Sequence, residues 1–62
     1  MVSKDPAQFV VGDVIDPKFA DTPYSGSPII KVEGMGDGRT QVHFKNGELV
    51  EFFNGVQHEI QE

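Results

Sequence analysis

The chain contains no cysteine. That excludes a disulfide framework and removes the thiolate ligands that hold a zinc ribbon. Tryptophan is absent as well, and cations are scarce: five basic residues face ten acidic ones, a net charge of −5. Proteins that grip nucleic acid need a basic patch to displace counterions, so direct nucleic-acid binding is disfavoured. No apolar run is long enough for a signal peptide or a membrane span. A soluble, cytoplasmic protein without membrane contact is the expectation. No stretch of useful length repeats its apolar residues every 3.6 positions, which argues against a long helix.

What is present is lean. Only 37% of the 62 residues are hydrophobic. A chain of this size buries only about 60% of the surface its unfolded form exposes. A single small domain with a compact core follows, and homo-oligomerisation stays open as a source of extra stability.

Residues 1–8 (MVSKDPAQ) are polar and read as a flexible lead-in to a domain over 9–62. Phe9 to Ile15 is rich in β-branched and aromatic residues and predicts a strand, bent at Gly12-Asp13. Residues 16–28 (DPKFADTPYSGSP) have three prolines and no period. They predict a loop that is long for so small a domain, and long loops tend to carry function. Phe19 and Tyr24 lie inside it, and at least one of them is expected to fold back onto the core. Ile29 to Glu33 predicts a second strand, with Ile30 and Val32 on one face and Ile29, Lys31 and Glu33 on the other. Three glycines between residues 34 and 38 form a turn. Arg39 to Lys45 alternates cleanly, with Thr40, Val42 and Phe44 pointing one way and Gln41, His43 and Lys45 the other. Glu48 to Phe53 returns, and Val56 to Ile60 is a short last strand or a single helical turn.

Asn46-Gly47 between two alternating runs is a strong hairpin signal. Its turn type decides which face is buried. A two-residue loop would pair Val42 with Glu51 and press a carboxylate against the core. A three-residue loop, with Gly47 as a left-handed bulge residue, pairs Phe44 with Glu48 and Val42 with Val50. The second register gives an inner face of Val42, Phe44, Val50 and Phe52, and is preferred. It leaves Leu49 and Phe53 on the outer face beside Gln41 and His43. They are either covered by the loop or terminal segment, or form a patch for a partner or a second copy.

The run Phe9-Val10-Val11-Gly12-Asp13-Val14, then Lys18-Phe19, Ile29 to Gly36 and Val42-His43-Phe44-Lys45-Asn46-Gly47, resembles the C-terminal Tudor-like domain of UvrD/PcrA-type DNA helicases. More loosely it is similar to KOW and RNA-polymerase-interaction domains. The resemblance spans about residues 9–60. It implies an SH3-like (Tudor/KOW-type) barrel of about five antiparallel strands, used for protein contact and, in that family, contact with RNA polymerase. Residues 20–28 make the first loop several residues longer than the family's, where such domains vary their contacts.

Catalysis has little support. No serine sits in an ordered His-acid arrangement, and the chain is too short for much concave volume. His43, His58, Glu51 and Glu59 lack metal-ligand spacing. The glycine turn lacks the Lys-Ser/Thr of a phosphate loop. Asp13, Asp16 and Asp21 lack the pattern of a calcium loop and are solvated carboxylates or an acidic rim for a basic peptide. No enzyme, metal or cofactor is therefore expected. The expected function is a non-catalytic protein-binding module, with Phe19, Asp21, Tyr24, His43, Leu49 and Phe53 as candidate partner contacts. It would act on transcription or DNA-processing machinery if the resemblance carries over. A homo-oligomeric assembly protein, and a small acidic inhibitor that blocks a nucleic-acid-binding surface, remain as alternatives. Clustering of Glu33, Asp37, Glu48 and Glu51 on one face would favour the inhibitor.

Overall fold

In a computed structural model, which describes residues 2–61, the chain is all-β. Among the described residues, five strands form two antiparallel sheets: β1 (Val2–Lys4), β2 (Ile29–Gly34), β3 (Arg39–Phe44), β4 (Leu49–Phe53) and β5 (His58–Ile60). β2, β3 and β4 make a three-stranded meander, and β1 pairs with β5. The only helical element among the described residues is a 3-10 turn, Pro6–Gln8.

The central hairpin has the bulged three-residue loop. Gly47 has φ +94°, its N–H donates to the Phe44 carbonyl at 3.0 Å, and the Phe44 N–H donates to the Glu48 carbonyl at 2.9 Å. Val42 therefore pairs with Val50 and Thr40 with Phe52. Val42, Phe44 and Phe52 are buried, and Val50 packs against them. Thr40 is the one polar residue in this inner row, and its hydroxyl is satisfied by Asn54 Oδ1 at 2.7 Å.

Three expectations need correction. Residues 9–15 do not form a strand. Gly12, at φ +99°, turns the chain, and the Asp13 carboxylate accepts the Val10 N–H at 3.1 Å, closing a loop rather than a bulge. Among the described residues of this stretch, Val14 and Ile15 form isolated β-bridges, Val14 to Pro28 and Ile15 to Ile60, while Gly12 and Asp13 bond the Ile29 backbone, each at 2.9 Å. These bridges join the two sheets. In β2 the faces are exchanged at the start. Ile30 is an extra residue between the pairs Ile29–Phe44 and Lys31–His43, so Ile29 joins Val32 on the core side and Ile30 is 55% exposed. Finally, the lead-in carries structure: residues 2–4 pair with residues 58–60. Lys4 reaches Asp13 at 2.8 Å. Asp5 caps the 3-10 turn by accepting the Ala7 N–H, while Gln8 accepts the Asp5 N–H. Asp5 also accepts the Gly55 N–H at 2.5 Å, tying the two ends of the chain together. Met1 lies outside the described residues.

The core is Phe9, Ile15, Ile29, Val42, Phe44, Phe52 and Ile60. Phe52 is its hub: Phe9 meets it edge-on at 5.4 Å, Tyr24 at 5.4 Å and His58 at 5.0 Å, ring centre to ring centre. Such edge-to-face pairs add about 0.5–1.5 kcal/mol each beyond the area they bury.

Candidate functional site

The long loop is pinned rather than free. Asn46 Nδ2 donates to the Pro23 carbonyl at 2.9 Å and the Lys45 N–H donates to the Pro28 carbonyl at 2.9 Å. Within the loop, the Thr22 and Ser25 hydroxyls meet at 2.7 Å, and Ser25 also donates to the Ala20 carbonyl. This holds Tyr24 flat against Phe44, with ring centres 5.2 Å apart and an interplanar angle of 29°. Phe19 takes the opposite course and is 56% exposed. One aromatic of the loop folds back, as the sequence suggests, and the other does not.

Tyr24 lines an open groove of about 240 Å³ together with Val50, Glu51, Phe52, Phe53, Val56 and His58. The groove lies along β4, where the chain turns at Asn54-Gly55 and returns as β5. Its rim is apolar: Phe53 is 72% exposed and Val56 55%. His58 forms part of the wall. Burial pushes its pKa down, and the negative Asp5 nearby only partly opposes that. It is therefore mainly neutral at pH 7, so the groove lining carries one carboxylate, Glu51, and no cation.

The six candidate contacts fall into three places. Tyr24 and Phe53 share the groove. His43 and Leu49 are cross-strand neighbours on the outer face of the meander. Phe19 and Asp21 are exposed on the loop. Of the other loop carboxylates, Asp13 holds Lys4 and Asp16 accepts the Lys18 N–H. Val50, Glu51, Phe52, Val56 and His58, which also line the groove, are not among the candidates. A signal existed for the last two, since an Asn-Gly turn after Phe53 brings the following residues back beside it.

On the outer face, Glu33, Gln41 and Glu51 form one row across the three strands. Arg39 interrupts the negative charge: it bonds Asp37 at 2.6 Å and Glu51 at 3.1 Å. The Arg39 hydrogen bond holds the Asp37 carboxyl below its ordinary range, and Asp37 in turn raises Arg39. Lys31 and His43 fill the next row. The outer face is thus a mixed-charge surface, not a continuous anionic track. Comparison with protein-family models, curated proteins and solved structures gave no match.

Proposed function

We propose that this chain is a non-catalytic protein-binding module on an SH3-like plan, and that it meets its partner along β4. One observation carries the reading: an apolar groove whose rim residues, Phe53 and Val56, stay exposed while its floor is built from core aromatics. Exposed Phe is costly to keep in contact with water, at about 25 cal/mol per Å² of apolar surface. Isolated cases are ordinary, but an apolar rim around a groove is a common form of binding site. Leu49, 52% exposed on the same strand, extends the surface. By the resemblance, transcription or DNA-processing machinery is the first place to look for the partner.

The inhibitor reading loses ground, because Arg39 bridges Asp37 and Glu51 and so offsets one of the four negative charges it needs. The test is a photo-cross-linking side chain at Phe53, with Lys18 as a control site, in the cell that makes the protein. The captured protein is then purified and titrated. Affinity should fall at least tenfold for Phe53→Ser with no change in thermal midpoint. Adducts only with further copies of this chain, or a titration insensitive to Phe53, would overturn the reading.

A further inference from the structure

The hydrogen-bond pattern of the hairpin leaves a specific set of groups unused. Phe44 donates to Glu48 and Asn54 donates to Gly38. The pairs between them alternate, so Val42–Val50 and Thr40–Phe52 exchange hydrogen bonds. The N–H and C=O of Leu49, Glu51 and Phe53 therefore point away from β3. β4 ends its sheet, and among the described residues nothing bonds those groups. An exposed strand edge of this kind is a template for one more strand. The groove lies along that edge.

The geometry points to β4 as an acceptor for strand addition: an extended segment of a partner protein, alternating apolar and basic residues, pairs with Leu49–Phe53. This rests on the module reading and names what the partner supplies. A strand beside β4 places alternate side chains on the two faces of the sheet. Those on the inner side meet Tyr24, Val50 and His58, which calls for apolar residues. Those on the outer side stand beside Glu51, which shares the single charge of Arg39 with Asp37 and so leaves that cluster one negative charge in excess, on a chain of net charge −5, which calls for basic ones. A second copy fits less well. Two β4 edges overlapping fully in antiparallel set Leu49 against Phe53 but Glu51 against Glu51, and like charges directly opposite are destabilising.

The test uses the full ¹⁵N-labelled chain and a synthetic seven-residue peptide of alternating Val and Lys. Saturating peptide should slow amide exchange at least tenfold at Leu49, Glu51 and Phe53. Val50 and Phe52, already bonded to β3, should change little. The same peptide N-methylated on its β4-facing nitrogens should not bind, nor should an alternating Val–Glu peptide. A fully synthetic protein with an ester in place of the Glu51 amide loses one donor and no side chain. It should bind about fivefold to tenfold more weakly, the worth of one hydrogen bond. Absent or uniform slowing, or equal binding of the N-methylated peptide, overturns strand addition. So does the same slowing, without peptide, as protein concentration rises, which would make the occupant a second copy. A foreign partner captured through Phe53 while these amides stay unprotected sinks strand addition and leaves the module standing. Protection by the peptide with no foreign adduct sinks the module reading instead.

Discussion

Tyr24 separates core from contact surface most sharply. Truncating it to Ala removes a ring that stacks on Phe44 and meets Phe52 edge-on. A fully buried aromatic costs about 3–5 kcal/mol when cut to Ala. Tyr24 is half-buried, so about half of that, roughly 2 kcal/mol, is expected. Its two aromatic pairs alone supply about 1–3 kcal/mol by their usual worth. In a domain this small, 2 kcal/mol lowers the thermal midpoint by about 8–16 °C. The hydroxyl contributes none of this, because no hydrogen bond is formed by it among the described residues and no buried polar side-chain atom there lacks a partner. Tyr24→Phe should therefore match the parent within about 0.5 kcal/mol, while Tyr24→Ala should not. Urea unfolding followed by circular dichroism measures both. An Ala variant as stable as the parent would refute the packing role, and a Phe variant as damaged as the Ala variant would refute the assignment of the loss to the ring. Loss of binding in Tyr24→Ala alone thus says nothing about contact, and Phe53 is the cleaner probe of the surface.

Gly47→Ala forces a side chain into φ +94°, where its Cβ would meet no atom within 4 Å; the loss of about 1–2 kcal/mol is backbone strain alone, read from the urea midpoint, and a neutral result would mean the turn has another shape. The folded His58 pKa lies below its ordinary 6.5, so the folded state binds fewer protons, stability falls as pH drops below about 6.5 toward the folded value, and the loss is complete below it. Comparing urea midpoints at about pH 7.5 and 5.5, above the carboxylate range, His58→Gln should flatten that slope; an unchanged slope would assign it to another group.

The hairpin was legible from sequence because two independent signals agreed. Alternation named the faces, and the cost of a buried Glu51 chose the register. Residues 9–15 misled because β-branched composition says nothing about where a chain turns. Gly12 and the Asp13 carboxylate, which bonds Val10, decided that locally. Ile29 and Ile30 are both good strand residues, so nothing in their identity marks the bulge that exposes the second. β1 was hidden for a different reason. Val2–Lys4 has little apolar character of its own and forms a strand only because β5 offers an edge some 56 residues away in sequence. Of the candidate contacts, the exposure of Leu49 and Phe53 followed from the register. The groove did not, since it needs the Tyr24 ring and His58 brought to β4 by two separate elements.

The buried face and the open edge of β4 are one fact seen twice. Side chains alternate between faces with period two, and backbone groups alternate between neighbours with the same period. In this register the residues that send side chains inward, Val50 and Phe52, also bond to β3. The residues that face outward, Leu49, Glu51 and Phe53, direct their N–H and C=O groups to the free edge. A slip by one residue would bury Glu51 and close the outward groups onto β3 instead. Core formation therefore selects which amides are left for a partner, and it does so without any residue being chosen for binding. Selection for contact would then act on the outward side chains alone. Leu49 and Phe53 flank Glu51 there, an apolar–acidic–apolar pattern that matches an extended basic segment better than it matches itself.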